Sequence, residues 1–113
     1  MFSDPVELLK TLIALPSVNP MGGEADPEIC FETRVTDFLV TWSRKLGVEP
    51  IIQEIEKGRS NVILLWENPH RPDTEVILLD AHQDTVPVTG MTIEPFQPVV
   101  QDGKMFGRGA CDV

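Results

Sequence analysis

The chain has 113 residues, 42% of them hydrophobic, and a formal net charge of −9 from 9 basic and 18 acidic side chains. That length suits one small domain with a core of its own, which argues against global disorder. The acidic balance argues against nucleic acid or an anionic membrane as a partner, because both are recognised through clustered Lys and Arg.

No apolar run reaches the roughly 18 residues of a membrane span. Met1-Phe2-Ser3-Asp4-Pro5 has neither a basic region nor an apolar stretch, so no secretory signal is expected. Cys30 and Cys111 do not form a Cys-x-x-Cys pair. Free thiols in a reducing compartment, with the cytoplasm as the default, are the simplest account.

Asp4-Pro5-Val6-Glu7 reads as a helix start, with Asp4 as cap, Pro5 in the first turn and Glu7 at the capping-box position. Apolar Leu8, Leu9, Leu12, Ile13 and Leu15 follow, and Pro16 ends the helix. Residues 16–25 have loop composition. Asp26-Pro27-Glu28 reads as a second start, with Phe31, Val35, Phe38, Leu39, Trp42 and Leu46 at helical spacing and Gly47 as the stop. This amphipathic helix is expected to cover a sheet, with Trp42 packed in the core.

The period then changes. Val48 to Ile55 and Asn61 to Trp66 read as strands, joined by the turn Lys57-Gly58-Arg59-Ser60. A polar loop over Glu67 to Thr74 precedes a continuous apolar strand, Glu75 to Asp80, expected to be buried on both faces. Asp102-Gly103 is a hairpin signal joining short strands around Val99-Val100 and Met105-Phe106. There is no repeat, low-complexity tract or linker. The fold class expected is α/β: a layered α/β/α domain with a mixed sheet.

The chemistry concentrates where the apolar strand ends, in Ala81-His82-Gln83-Asp84-Thr85-Val86-Pro87. Imidazole is a good ligand for zinc-like metals, and a strand end in an α/β fold is where sites form. Asp84 can turn back and accept from the free ring N–H, fixing the tautomer. A histidine that merely closes a strand, with Asp84 as a turn residue, is the other reading. Asp112 follows Gly107-Arg108-Gly109, a run that lets backbone approach closely. Its carboxylate could bridge two cations about 3.5–4 Å apart, or be an ordinary polar residue after a turn. Cys111 reads as a small buried residue, His70 as exposed, and Asp80 as a strand-end residue. Arg108 either pins a carboxylate or braces its turn. No phosphate loop or dinucleotide fingerprint is present.

The Ala81–Pro87 block resembles the first metal-site motif of the M20 family of metallopeptidases and deacylases, a family that includes acetylornithine deacetylase, succinyl-diaminopimelate desuccinylase, aminoacylase and carboxypeptidase G2-like enzymes. Pro95-Phe96, Asp102-Gly103-Lys104 and Gly107-Arg108-Gly109-Ala110-Cys111-Asp112 resemble its second block, in order and at the expected distance. Leu15-Pro16-Ser17-Val18-Asn19-Pro20 resembles its N-terminal helix-to-loop segment. The resemblance implies that His82 binds one metal, Asp84 orients it as a catalytic residue, and Asp112 bridges both metals. It implies two divalent ions, zinc with cobalt or manganese as alternatives, and cleavage of an amide bond in N-acyl amino acids or small peptides. It also implies an enzyme that can form a homodimer.

Met91-Thr92-Ile93-Glu94 departs from the family, which often has a Trp ahead of the Pro-Phe pair. The family's lysine after the second block, its acidic general-base pair and its other ligands match nothing here. Residues 1–113 are therefore expected to be the N-terminal part of one catalytic domain, with weak or no metal occupancy and no activity alone. A noncatalytic truncated chain with a structural or association role is the alternative. The peptide bond after Asp112, often cis in the family, is expected to be trans.

Overall fold

A computed structural model describes residues 4–67, 70 and 75–112. Its elements run α1 (Pro5–Ile13), α2 (Thr33–Lys45), β1 (Ile51–Glu56), β2 (Arg59–Ile63), β3 (Val99–Gln101) and β4 (Lys104–Phe106). Most of the polar loop expected over 67–74 lies outside the described residues, and so does the peptide bond after Asp112.

Helix α1 begins as its sequence dictates. The Asp4 carboxylate accepts from the Val6 N–H at 2.8 Å, and Pro5 occupies the first turn, where a missing N–H costs nothing. Glu7, instead of reaching back to the cap, pairs with Lys10 one turn on, at 2.6 Å. Ile13 is the buried residue of the helix.

Helix α2 starts at Thr33, later than the Asp26-Pro27-Glu28 signal suggested. Asp26 does cap, but it caps a turn: its carboxylate accepts from the Glu28 N–H at 2.9 Å and its carbonyl from Cys30 at 2.8 Å. Cys30 then pairs with Val18, and Phe31 has φ +67°, which no helix accommodates. The backbone groups an earlier helix would use are already committed. The far end follows expectation, with Gly47 at φ +78° and Val48 N–H on the Ser43 carbonyl at 3.0 Å.

Strands β1 and β2 form an antiparallel hairpin with Ile52 opposite Val62. The ladder starts at Ile51 and ends at Ile63, inside the expected Val48 and Trp66, whereas Arg59 and Ser60, expected in the turn, belong to β2. Helix α2 packs on β2. The Thr33 hydroxyl caps the hairpin turn through the Gly58 carbonyl at 2.8 Å. At the same corner Glu32, 7% exposed, pairs with Arg59 at 2.6 Å, and the guanidinium lies 5.5 Å from the Phe31 ring centroid. Strands β3 and β4 close through Asp102 (φ +50°) and Gly103 (φ +73°), the two left-handed residues of a type I′ turn.

Helices with small antiparallel sheets make a mixed α/β chain. Among the described residues the sheets are two separate hairpins, and parallel pairing is limited to isolated bridges from Val18 to Cys30 and to Thr85. The expected buried strand over 75–80 is overturned: these residues form no strand, and Val76, Ile77, Leu78 and Leu79 are 83–90% exposed. Their apolar, β-branched character suits a central strand, but a strand exists only when neighbours take up its N–H and C=O groups.

The core gathers Ile13, Val18, Cys30 and Val35. Trp42 is half-buried beside it. Gly107 closes over this core. A Cβ there would lie 2.6 Å from Ile13 Cγ2, on a backbone with φ +155°. Gly107→Ala is expected to destabilise the chain by about 1–3 kcal/mol through overpacking, measured as a lowered thermal midpoint; an unchanged midpoint contradicts this packing. The bare apolar run predicts concentration-dependent association in light scattering. Ile77→Lys with Leu79→Lys should reduce it, and a monodisperse unsubstituted chain would count against this.

Candidate metal centre

The segment 80–85 lies outside the helices and strands, with Thr85 in an isolated bridge to Val18, and its side chains divide by their contacts. His82 and Asp84 share one side and Gln83 takes the other. Gln83 fastens the segment to the fold: its Oε1 accepts from the Thr36 hydroxyl on α2 at 3.1 Å, and its Nε2 donates to the Ser60 carbonyl on β2 at 2.9 Å. Next along the chain, the Thr85 N–H donates to the Ser17 carbonyl at 3.0 Å, and the Thr85 carbonyl accepts from Asn19 N–H at 2.8 Å.

On the other side, His82 Nδ1 lies 2.8 Å from the Asp84 carbonyl and 3.1 Å from Asp84 Oδ1. Both are acceptors when Asp84 is ionised, so Nδ1 carries the proton. In the neutral tautomer this leaves Nε2 with the free lone pair, and Asp112 Oδ1 stands 3.8 Å from it. Zinc–nitrogen and zinc–oxygen bonds are each about 2.0–2.2 Å, so two ligands of one ion can be no more than about 4.3 Å apart. The His82–Asp112 spacing fits. Among the described residues, however, no group of three or more His, Cys, Asp or Glu is arranged to hold a metal. The structure thus brings His82, Asp84 and Asp112 together, with His82 and Asp112 as one geometrically suitable ligand pair.

Asp84 is the best-ordered member electrostatically. Asn19 Nδ2 donates to its Oδ2 at 2.8 Å. That bond first, and the His82 contact after it, hold the Asp84 carboxyl below the usual carboxylate range, against an opposing push from burial. Beside the site, a cleft of about 600 Å³ is lined by Glu32, Arg59, Asn61, Asp80, His82 and Asp84, among others. The hydrogen bonds that Arg59 donates to Glu32 push its guanidinium further above its ordinary value, so the cleft keeps a fixed ion pair in its wall.

Other sequence-level expectations divide. His70 is exposed as expected, and Asp80 is exposed on the rim of the cleft. Cys111 was read as buried; it is exposed, whereas Cys30 is buried, and both are free thiols. Arg108 braces its turn, with its N–H on the Pro95 carbonyl at 2.7 Å and Nη2 on the Pro87 carbonyl at 3.1 Å. Sequence reasoning missed the work of Gln83 and Asn19. Strand alternation could have placed Gln83 opposite the His82–Asp84 pair; nothing local marks Asn19 as a partner of a residue 65 positions away.

Comparisons with known proteins include the same segment. The model of Peptidase family M20/M25/M40 matches residues 78–113. The chain is 32% identical to a succinyl-diaminopimelate desuccinylase of Xanthomonas euvesicatoria pv. vesicatoria (strain 85-10), over 98% of this chain and 26% of that protein. It is 29% identical to an acetylornithine deacetylase of Klebsiella pneumoniae (strain 342), over 96% of this chain and 27% of that protein. An acetylornithine deacetylase of Proteus mirabilis (strain HI4320) is 30% identical over the same shares. The chain therefore spans about a quarter of the length of the curated relatives it matches. No solved structure matches. No helix among the described residues is long and apolar enough to cross a membrane.

Because the folded Asp84 pKa is depressed, its contribution to stability is present above the ordinary aspartate pKa. It is lost as pH falls through the depressed folded value. The stability difference between the unsubstituted chain and Asp84→Asn should therefore shrink on acidification across that window. A difference that stays constant through it would contradict the assignment.

Proposed function

We propose that this chain, a relative of the M20/M25/M40 peptidases, supplies part of the metal centre of a two-metal amidohydrolase that cleaves an N-acyl amino acid or small peptide. The observation that carries the reading is the relay from Asp84 through His82 to Asp112. Asp84 accepts a hydrogen bond from Nδ1–H, which leaves the Nε2 lone pair of the neutral ring 3.8 Å from Asp112 Oδ1. His82 would hold one ion, and Asp112, 90% exposed with a second oxygen to offer, would bridge to the other. When bound, such ions polarise an amide carbonyl and activate water. This chain's residues hold the ligands in place: Asp84 sets the tautomer, and Gln83 fixes the loop to α2 and β2.

Two ligands fall short of the three or four protein groups of an ordinary zinc site. The remaining ligands and the general base are proposed to come from parts of such an enzyme that align with none of residues 1–113, and the layered α/β/α sheet with them. Acylated amino acids are proposed as substrates because relatives are named for removing acetyl and succinyl groups.

The test is zinc titration of the chain, followed through the His82 ring signals in NMR, beside hydrolysis assays on N-acetylornithine and N-succinyl-diaminopimelate. The expected result is weak, saturable perturbation of His82, lost in His82→Ala and weakened in Asp112→Ala, with no turnover. Zinc shifts that bypass His82 would overturn the metal assignment. Robust hydrolysis by the chain alone would overturn the assignment of the base elsewhere.

A further inference from the structure

We infer that Asn19 is a positioning residue of the candidate metal centre: its side-chain amide clamps the Asp84 carboxylate that in turn holds the His82 ring. The inference rests on the reading of Asp84 and His82 given above and adds a residue from the N-terminal loop.

The orientation of the amide is settled by its two partners. Asn19 Oδ1 accepts from the Met21 N–H at 2.9 Å, a bond only an oxygen can make. The nitrogen must therefore be the end that faces Asp84, at 2.8 Å from Oδ2. The backbone is equally constrained. Asn19 N–H donates to the Thr85 carbonyl at 2.8 Å, and Thr85 N–H to the Ser17 carbonyl at 3.0 Å, so Asn19 is held directly beside the residue after Asp84. Pro20 removes the helical region from Asn19's choices, which keeps the loop extended there.

Each oxygen of Asp84 consequently has one fixed donor: Oδ2 takes the Asn19 amide and Oδ1 takes His82 Nδ1. A carboxylate held at one oxygen alone can rotate about its terminal torsion, which is broad. Held at both, it cannot turn Oδ1 away from the ring. The Asp84 carbonyl also accepts from Nδ1 at 2.8 Å, so loss of Asn19 should loosen the ring and not free it.

The experiment reads the His82 tautomer by long-range ¹H–¹⁵N NMR on the 113-residue chain, at a pH where both imidazoles are neutral, with His82→Ala for assignment. The unsubstituted chain should show the proton on Nδ1. Asn19→Asp keeps the oxygen that Met21 N–H needs but faces Asp84 with an acceptor, so a turn-only role predicts no change. We expect the Nδ1–H to Nε2–H ratio to fall about 2- to 10-fold, the equilibrium worth of one hydrogen bond, in Asn19→Asp and in Asp84→Ala. A fall in Asp84→Ala without one in Asn19→Asp overturns the role of Asn19 and leaves the metal reading standing. A proton on Nε2 in the unsubstituted chain overturns both. A tautomer that responds as expected, with zinc shifting neither histidine, supports the Asn19 clamp and sinks the metal reading alone. Should Asn19→Asp fail to fold, hydrogen exchange of the Asn19 side-chain amide in the unsubstituted chain decides: slowed exchange supports the clamp, and free-peptide exchange overturns it.

Discussion

Val18 sits between two other stretches of backbone, and the arrangement around the candidate site depends on that crossing. Its N–H donates to the Ile29 carbonyl at 2.9 Å, and its own carbonyl accepts from Phe31 at 3.0 Å. On its other side the flanking Ser17 and Asn19 exchange two bonds with Thr85. Val18 itself is 3% exposed and, with Ile13, Cys30 and Val35, belongs to the buried apolar core. A buried backbone group without a partner costs about as much as a lost hydrogen bond. Four such groups saturated around one apolar side chain therefore hold the N-terminal loop, the approach to α2 and the His82–Asp84 segment in one register. The glycines of 107–109 fit over the same crossing, where Gly109 would bring a Cβ within 3.1 Å of Thr85 Cγ2. The same Cβ would lie 3.6 Å from the Asp112 carbonyl, so the close packing extends to the residue beside His82.

Features encoded by a few adjacent residues were readable in the sequence. Asp4-Pro5 opens α1 and Asp102-Gly103 turns β3 into β4, because a cap and a type I′ turn are local chemistry. The same logic explains the misread start of α2. Asp26 has a sound capping signal, but capping chemistry is shared by helices and single turns. Which of them forms was decided by the pairing of Cys30 with Val18, twelve residues back. The segment 75–80 shows the converse. Its composition suits a central strand, yet strand formation belongs to the neighbours, and none of the described residues pairs with it.

The site was legible to a similar depth. His82, Asp84 and Asp112 stand out because their residue types and spacing carry chemistry, and the fold brings the three within reach of one another. Gln83 and Asn19 carry no such mark. An amide side chain is ordinary in a loop, and its meaning arises only when folding supplies a partner 47 or 65 positions away. The charge of −9 also acquires a local sense. Asp84 and Asp112 flank His82 with carboxylates, while the basic group in the same cleft, Arg59, is occupied by Glu32. Arg59 also feels the Asp84 and Glu56 carboxylates, so acidic groups outnumber the one basic side chain that lines this cleft.

Alternation then explains why so few contacts suffice to orient the ligand. In an extended chain a shift of one residue moves every side chain to the opposite face. Gln83 is anchored on the fold side by Thr36 and Ser60, and Asp84 on the site side by Asn19. A slip by one would put Asp84 against Thr36, Gln83 on the site side and His82 on the fold side, forfeiting the bonds on both sides together. His82, one position before Gln83 and two before Asp84, has its direction set by both constraints. Its Nδ1 bond to Asp84, itself clamped by Asn19, then holds the ring and fixes the proton.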